Sequence, residues 1–347
     1  MILAGDIGGT NTRIAFFNEE GGRLKFALEE KIYPSHHYKS LNEILALVLR
    51  EHGSKVDAAC FGIAGPVLNG KVETPNLPWV ADAAEISRQL GTRNVWLIND
   101  LHAHAWGIDD LQPQDFVHLN PIEISGGNAA LIAAGTGLGE AGLYWDGARR
   151  HAFPCEGGHC DFAPRDDIEI HLLQYLRSKF PRVSYERVLS GPGFRNIYEF
   201  LRDTGTEEEP AWLKQELGQL EDPAPLISNY GLHEKAAICT RTLDIFVSIY
   251  GAEAGNLALK MMATGGVYLS GGIAIKILEK LKGPAFLQAF VTKGRLQSLL
   301  ETIPVRVIAN DTVGLLGAAR YALNKLAHKK EIETNERPKS SEEPALR

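Results

Sequence analysis

The sequence predicts a two-lobed α/β protein, and three observations support this fold class. A chain of 347 residues exceeds the size at which one hydrophobic core usually keeps growing. Apolar runs typical of buried strands alternate with segments of helical spacing. A strand, a glycine-rich turn and a second strand occur twice, beginning at Ile2 and again at Ala129. We therefore expect two lobes that each open with the same hairpin, with a central cleft between them.

The first lobe begins with an apolar run, Ile2–Gly5, that enters a glycine turn and leaves it through Arg13–Phe17. This order is strand, turn, strand. Further along, helical spacing predicts one helix and continuous apolar runs predict two buried strands. These segments are, in order, Leu41–Arg50, Ala58–Ile63 and Val95–Ile98.

The second lobe repeats the pattern with Ala129–Ala134, a turn at Gly135–Gly139 and a strand at Gly142–Trp145. A duplicated hairpin-first lobe would place both glycine turns at facing strand ends, where they could hold one nucleotide from two sides. Beyond it, Thr206–Pro225 is rich in Glu, Asp and Pro and is interpreted as a surface excursion. Long helical periodicity follows over 236–262.

The predicted lobe boundaries follow from these elements. The small α/β lobe comprises residues 1–108 and about 311–327, because small residues after Asp311 indicate a closely packed helix. The large α/β lobe comprises residues 109–310. Residues 328–347 are charged and contain Pro338 and Pro344, which predicts a disordered tail.

Composition excludes several classes of protein. The net charge of −7 offers no general attraction to nucleic acid, although a small anion could bind at a local site. No apolar run approaches the roughly 20 residues of a membrane span, and the N-terminal residues lack the pattern of a secretory signal. We expect a cytoplasmic protein with no membrane or nucleic-acid partner. Its four cysteines form no C-x-x-C pair and are expected to be reduced thiols.

The first glycine turn carries the groups of a metal–phosphate site. Gly8-Gly9 alone is typical of an ordinary tight turn. Asp6 could hold Mg²⁺ through water, however, and the Thr10 hydroxyl with nearby amides could hold phosphate oxygens. The sequence has no G-x-x-x-x-G-K-[ST] motif, and strand-like residues follow Gly135–Gly139, so P-loop and Rossmann folds are excluded. A third turn, Ser270-Gly271-Gly272, could lie against a flat ligand such as adenine, or be an ordinary strand–helix turn.

A second set of polar residues suggests phosphoryl transfer to a sugar. Asp100 follows a buried strand and could be the base that accepts a proton from an attacking hydroxyl, or merely a helix N-cap. Asn99, Glu156 and Glu186 would add acceptors for sugar hydroxyls, and His159 lies on the same glycine-rich loop as Glu156. Helix capping is the alternative for Glu186. Zinc bound by Cys155, His159 and Cys160 is disfavoured because a fourth ligand is missing, and a glycosidase would leave the phosphate turns unexplained.

These motifs together resemble the bacterial glucokinase family of the hexokinase and actin-like ATPase superfamily. The resemblance spans roughly 2–326. It rests on Gly5-Asp6-Ile7-Gly8-Gly9-Thr10-Asn11, Gly62-Ile63-Ala64-Gly65-Pro66, Asn99-Asp100-Leu101, Gly135-Thr136-Gly137-Leu138-Gly139, Glu156-Gly157-Gly158-His159 and Ser190-Gly191-Pro192-Gly193. The repressor–kinase (ROK) branch differs, since Asp161–Pro164 replaces its cysteine-rich zinc cluster here.

The resemblance implies an actin-like ATPase (ribonuclease H-like) fold and a homodimer that uses ATP and Mg²⁺ to convert glucose to glucose 6-phosphate for glycolysis. Asp100 would be the catalytic base. The residues implied to bind glucose are Asn99, Asp100, Glu156, His159 and Glu186. Those implied to bind the nucleotide are Asp6 (through water to Mg²⁺), Ile7, Gly8, Gly9, Thr10, Asn11, Gly135, Thr136, Gly137 and Gly271.

Two other functions stay open at this point. A sugar-sensing regulator or conformational ATPase could use the same fold without phosphorylating sugar. The chain could also be a kinase for a related hexose, because pocket specificity depends on fine geometry.

Overall fold

A computed structural model describes residues 1–53, 55–74, 77–124 and 126–335, with side chains described up to residue 329. The chain divides into two compact units. Unit 1 comprises Met1–Asp110 and the segment from Thr312 onward. Unit 2 comprises Leu111–Asp311.

Both units are built from strands and helices. The strands in chain order are β1 (Ile2–Ile7), β2 (Asn11–Glu20), β3 (Arg23–Pro34), β4 (Ala58–Ile63), β5 (Lys71–Glu73), β6 (Val80–Asp82), β7 (Val95–Asn99), β8 (Phe116–His118), β9 (Ala129–Ala134), β10 (Leu138–Trp145), β11 (Arg150–Cys155), β12 (Val267–Ser270) and β13 (Val305–Ile308). The helices are α1 (Leu41–His52), α2 (Ala83–Leu90), α3 (Asp100–Gly107), α4 (Asp167–Lys179), α5 (Gly191–Asp203), α6 (Ala211–Leu217), α7 (Ala224–Leu232), α8 (Ala237–Met261), α9 (Gly272–Lys276), α10 (Leu278–Leu281), α11 (Pro284–Val291), α12 (Gln297–Leu300) and α13 (Val313–Asn335).

Unit 1 is organised around a sheet with strand order β3-β2-β1-β4-β7. β1 pairs antiparallel with β2 and parallel with β4, which in turn runs parallel to β7. Parallel neighbours need a crossover, which α1 supplies between the hairpin strands and β4. α1 forms because Leu41, Ile44, Leu45 and Val48 recur at helical spacing and are all buried. Ser40 caps its N-terminus by accepting a hydrogen bond from the Glu43 amide.

Unit 2 repeats this arrangement in a sheet of order β11-β10-β9-β12-β13-β8. β9 pairs antiparallel with β10 and parallel with β12, which runs parallel to β13. β9, β10, β11, β12 and β13 thus correspond to β1, β2, β3, β4 and β7. The predicted hairpin-first α/β organisation is therefore confirmed in both units.

The core of unit 2 centres on α8, which is buried along most of its length. Phe246 of α8 stacks on Phe194 of α5 with ring centroids 3.9 Å apart. Within the described residues, none of the helices combines the length and apolar character that a membrane span needs.

Two segments differ from the sequence predictions. The stretch read as a surface excursion, 206–225, contains α6, whose Leu213 is fully buried. The tail predicted to be disordered from residue 328 is helical up to Asn335, where α13 ends. Lys, Glu and Ala are good helix formers, so charge alone does not exclude a helix there. The rest of the predicted tail, 336–347, lies outside the described residues.

Candidate active site

The first glycine turn connects β1 to β2 and is held from behind by Ser35. The Gly8 amide donates to the Asn11 carbonyl at 3.0 Å, which closes the turn. The Ser35 hydroxyl donates to the Gly8 carbonyl at 2.8 Å, and the Ser35 amide donates to the Thr10 carbonyl at 2.8 Å. Thr10 and Asn11 are exposed. The turn is therefore held at its base by hydrogen bonds, and the residues Thr10 and Asn11 are accessible to solvent.

Asp6 lies near the end of β1 and is partly buried. Its carboxylate packs against α13, where a Cβ at Gly314 would lie only 2.7 Å from Oδ2. Burial raises the pKa of Asp6, and the nearby Asp100 carboxylate raises it further, while His104 and Arg13 oppose the shift. The negative charges of two neighbouring carboxylates repel each other, and a bound cation would offset that repulsion.

Asn99 is the last residue of β7 and Asp100 is the first residue of α3, and the two side chains have different hydrogen bonds. Asn99 is the N-cap of α3: its Oδ1 accepts hydrogen bonds from the amides of Leu101 at 2.9 Å and His102 at 3.3 Å. Asp100 is the first helical residue, with Oδ1 2.9 Å from the Leu101 amide nitrogen. The alternative that Asp100 is the N-cap is thus wrong, because Asn99 occupies that position.

The backbone of Asp100 is fixed by a close approach to β4. A Cβ at Gly62 would lie 2.8 Å from the Ala103 Cβ and 3.5 Å from the Asp100 Cα. Glycine at this position lets the first turn of α3 lie directly against the strand.

The second glycine turn, Gly135–Gly137, connects β9 to β10 in unit 2. The Gly135 amide donates to the Gly137 carbonyl at 2.8 Å, and the Gly135 carbonyl accepts from the Gly191 amide at 2.8 Å. Gly191 is the first residue of α5, so the turn and that helix N-terminus are joined. Thr136 at the tip is exposed.

A cavity of about 450 Å³ lies next to this turn. Gly271 precedes α9 with φ +85°, and a Cβ there would lie 2.6 Å from the Ala134 carbonyl oxygen. Only glycine tolerates both conditions, so Gly271 brings α9 close to the end of β9. The lining residues are Gly135, Thr136, Gly191, Pro192, Phe194, Asp222, Ala224, Pro225, Ser228, Gly272, Ile273, Lys276 and Ile277.

The structure places Glu156, His159 and Glu186 on two short segments of unit 2 that are joined to each other. Glu156 precedes the 3-10 turn Gly157–His159, and Glu186 lies in the 3-10 turn Tyr185–Arg187. The Tyr185 amide donates to the Cys160 carbonyl at 2.9 Å. His159 Nε2 lies 3.9 Å from Glu186 Oε1. The two segments therefore place the His159 imidazole next to the Glu186 carboxylate.

Glu186 also contacts the second glycine turn. Its Oε2 accepts a hydrogen bond from the Leu138 amide at 3.0 Å, and a Cβ at Gly137 would lie 2.6 Å from the same oxygen. The capping alternative for Glu186 is not needed, because its carboxylate faces this turn.

Several residues that line the cavity or lie behind Gly157 were not predicted from the sequence. Asp222, Ser228 and Lys276 line the cavity, but Asp222 falls in the stretch read as a surface excursion. Glu140 on β10 is buried behind Gly157, where a Cβ would overlap Glu140 Oε2. The sequence signal for Glu140 was a lone carboxylate between the predicted turn, Gly135–Gly139, and the predicted strand, Gly142–Trp145. That signal does not say which face of the sheet the side chain occupies.

Comparison with known proteins identifies the family. A model of the glucokinase family matches residues 3–325. The chain is 41% identical to the glucokinase of Nostoc punctiforme over 340 residues, which cover 93% of this chain and 98% of that one. It is also 41% identical to the glucokinase of Trichormus variabilis over 338 residues, with the same coverage. The crystal structure of glucokinase from an Antarctic psychrotroph matches with a TM-score of 0.82 at 29% identity, covering 93% of this chain and 98% of that chain.

These similarities confirm the resemblance seen in the sequence motifs, and with it the predicted actin-like ATPase fold. They extend over nearly the whole chain, so they include both glycine turns and all the residues predicted to bind sugar, from Asn99 to Glu186. The chain belongs to the glucokinase family, the enzymes that phosphorylate glucose with ATP.

Proposed function

We propose that this chain transfers the γ-phosphoryl group of ATP to the 6-hydroxyl of glucose, with Asp100 as the catalytic base. The observation that carries the assignment is that the helix cap and the candidate base are two different residues at the start of α3. Asn99 supplies the N-cap, so the Asp100 carboxylate is not needed to cap the helix. Its Oδ1 interacts with the Leu101 amide, and the second oxygen, Oδ2, would accept the substrate proton.

The sugar would be held mainly by acceptors for its hydroxyl groups. Glu156 and Glu186 offer carboxylate oxygens, and His159 adds an imidazole beside Glu186. Asn99 would contribute its amide, whose Nδ2 lies 3.4 Å from the Gly65 carbonyl oxygen. These groups suit a neutral polyhydroxylated ligand because each hydroxyl can donate to a charged acceptor.

The nucleotide would use the two glycine turns and the cavity. Backbone amides of the first turn, Asp6–Asn11, and of the second, Gly135–Gly137, would hold phosphate oxygens. The cavity beside Gly135 and Gly271 has the size of a small-molecule pocket, and apolar side chains form part of its wall. We assign it to the adenosine portion of ATP.

The chemistry of Asp6 fits a Mg²⁺ ion held through water. Its carboxylate is partly buried close to Asp100, and its pKa is raised by burial and by that second carboxylate. Oxygen ligands with excess negative charge are the type of donor that Mg²⁺ prefers. Bound together with ATP, the ion would neutralise charge on the phosphates.

Phosphoryl transfer then needs one proton to move. The 6-hydroxyl oxygen forms a bond to the γ-phosphorus as the bond to the β,γ-bridging oxygen breaks, and the hydroxyl proton passes to the Asp100 carboxylate. ADP leaves with the electron pair of the broken bond. The products are glucose 6-phosphate and ADP.

Replacing Asp100 by Asn tests this assignment. We expect kcat to fall by about 10²–10⁴-fold with little change in KM for glucose or ATP, because the base is lost while the shape is kept. Asp167→Asn is a matched control, since Asp167 is likewise the first residue of a helix, α4, and is exposed. A near-normal kcat for the Asp100 variant would refute its role as base.

The family resemblance also supports three broader proposals. The chain would act as a homodimer in the cytoplasm, and its product would enter glycolysis. Analytical ultracentrifugation of the purified chain tests the homodimer, and a monomer at all concentrations would contradict it. A coupled assay with glucose, mannose, glucosamine and fructose tests the breadth of hexose use.

A further inference from the structure

Glu140 is a buried carboxyl group that the proposed mechanism does not use. It lies on β10 between β9 and β11, opposite Ile132 and Cys155, and its exposed fraction is 2%. Among the residues that the structure describes, neither of its carboxyl oxygens has a hydrogen-bond partner. An unpaired buried carboxylate is costly, so the uncharged form is strongly favoured.

The side chain touches the loop that carries two of the sugar-site candidates. A Cβ at Gly157 would overlap Glu140 Oε2, so the carboxyl group occupies the space directly behind this glycine. Gly157 lies between Glu156 and His159 in the sequence. A Cβ at the next residue, Gly158, would overlap the Leu138 carbonyl, so this part of the loop is pressed against β10 as well.

Among the residues that the structure describes, the groups that act electrostatically with Glu140 lie on α8 and β11. On α8 they are Glu253, Lys260 and Tyr250, and on β11 the group is Cys155. Glu253 is fully buried, forms an ion pair with Lys260 at 3.1 Å, and accepts a hydrogen bond from the side-chain Nδ2 of Asn256 at 2.8 Å. Burial raises the pKa of Glu140 to about 8, and Glu253 adds to the rise while Lys260 opposes it. At neutral pH the carboxyl group is therefore mostly protonated.

We propose that Glu140 is a positioning residue for glucose binding, whose uncharged carboxyl group supports Gly157 from behind and keeps Glu156 and His159 in place. This inference rests on the proposed role of those two residues in holding glucose. An ionised Glu140 would need water or donors around its oxygens. The wall nearest to those oxygens is Gly157, so hydration would displace the loop and weaken glucose binding.

The dependence on pH follows from competition between ionisation and glucose binding. If the two exclude each other, KM for glucose is unaffected well below the pKa of Glu140 and rises above it. The rise approaches tenfold per pH unit, so KM at pH 9 would be about tenfold higher than at pH 7. The turnover number kcat, measured at saturating glucose, would not follow Glu140.

The test is the pH profile of KM for glucose and of kcat between pH 6.5 and 9.5. Glu140→Gln keeps the shape of the side chain but cannot ionise, so its KM should stay flat where that of the wild type rises, with the same kcat. Glu279→Gln, on α10 with 78% of the side chain exposed, makes the same charge change and should follow the wild type. Parallel KM profiles for the wild type and Glu140→Gln would overturn the proposal, as would a change confined to kcat.

A second variant covers the case in which Glu140→Gln does not fold. Lys260 is 47% exposed and lowers the pKa of Glu140, so Lys260→Gln should move the rise in KM to higher pH. A rise at an unchanged pH would overturn the proposal. Failure of the proposed function is distinguishable, because the wild-type chain would then phosphorylate no glucose at any pH.

Discussion

Glu186 accepts a hydrogen bond from the Leu138 amide at 3.0 Å, which joins a segment of the proposed glucose site to the residue that directly follows the second glycine turn. The same carboxylate lies 3.9 Å from His159 through its other oxygen. One side chain thus contacts both the proposed glucose site and the proposed phosphate site of unit 2.

This double contact predicts that Glu186→Ala raises KM for both substrates. The variant loses an acceptor for glucose and also leaves the Leu138 amide unpaired, which loosens the turn that would hold phosphate. Loss of a charged hydrogen bond costs about 1.5–3 kcal/mol, or roughly 10- to 150-fold in affinity. Steady-state kinetics with glucose and ATP varied separately measure both effects.

Glu156→Ala provides the comparison for that experiment. Glu156 precedes the turn Gly157–His159, and among the described residues no hydrogen bond joins it to the glycine turn Gly135–Gly137. Its KM for glucose should rise while KM for ATP stays close to that of the wild type. An ATP effect of equal size in both variants would show that Glu186 does not link the two sites.

Gly271→Ala should destabilise unit 2 and weaken ATP binding. The backbone at Gly271 has φ +85°, and a Cβ would lie 2.6 Å from the Ala134 carbonyl oxygen. The two penalties together amount to about 2–4 kcal/mol of unfolding free energy. Denaturant unfolding measures that loss, and KM for ATP should rise in the same variant.

Gly272→Ala is the matched control for stability. It lies next in the chain, without a positive φ, and nothing lies within 4 Å of a Cβ built there. Its free energy of unfolding should change by less than about 1 kcal/mol. Equal destabilisation of the two variants would mean that the close approach of Gly271 to β9 is unimportant.

Glu140→Gln should change how stability depends on pH. The pKa of Glu140 is raised to about 8 in the folded chain from 4.5, so the folded state binds more protons than the unfolded state between these values. The contribution of Glu140 to wild-type stability therefore falls as pH rises from about 5 to 8 and levels off above. Relative to the wild type, the variant should gain about 2.5 kcal/mol of unfolding free energy between pH 5 and pH 7.

Denaturant unfolding of both proteins at several pH values measures this difference. If the difference in unfolding free energy between Glu140→Gln and the wild type is the same at pH 5 and pH 7, the pKa of Glu140 is not raised. The exposed control Glu279→Gln should give a pH dependence like that of the wild type.

Local sequence patterns predicted the elements that depend on short-range chemistry. Glycine turns between apolar runs predicted both hairpins, and the spacing of Leu41, Ile44, Leu45 and Val48 predicted α1. The end of a buried strand at Asn99 correctly indicated where α3 begins, although the sequence suggested only Asp100 as a possible N-cap and the structure has Asn99 in that position.

Contacts between distant segments could not be read from the sequence. Glu186 and Leu138 are 48 residues apart, and no local pattern relates a carboxylate in one turn to an amide beside another. Glu140 lies between the predicted turn, Gly135–Gly139, and the predicted strand, Gly142–Trp145, where a charged side chain is ordinary. Only the packing of Gly157 against β10 shows that Glu140 is enclosed. The stretch containing α6 was misread because its composition resembles a loop, whereas burial of Leu213 makes it part of the core.

Asp6→Asn should weaken the use of Mg²⁺ while making the chain without ligands more stable. Burial and the nearby Asp100 carboxylate raise the pKa of Asp6, so its ionised form is disfavoured in the folded state. An uncharged Asn of similar shape removes that penalty, and unfolding in the absence of Mg²⁺ and nucleotide should need more denaturant. The same change removes the proposed outer ligand, so half-maximal activity should need at least about tenfold more free Mg²⁺. Activity titrated with Mg²⁺ at fixed ATP measures the second effect. A variant that is less stable and has an unchanged Mg²⁺ requirement would show that Asp6 is a structural residue and not part of the metal–phosphate site.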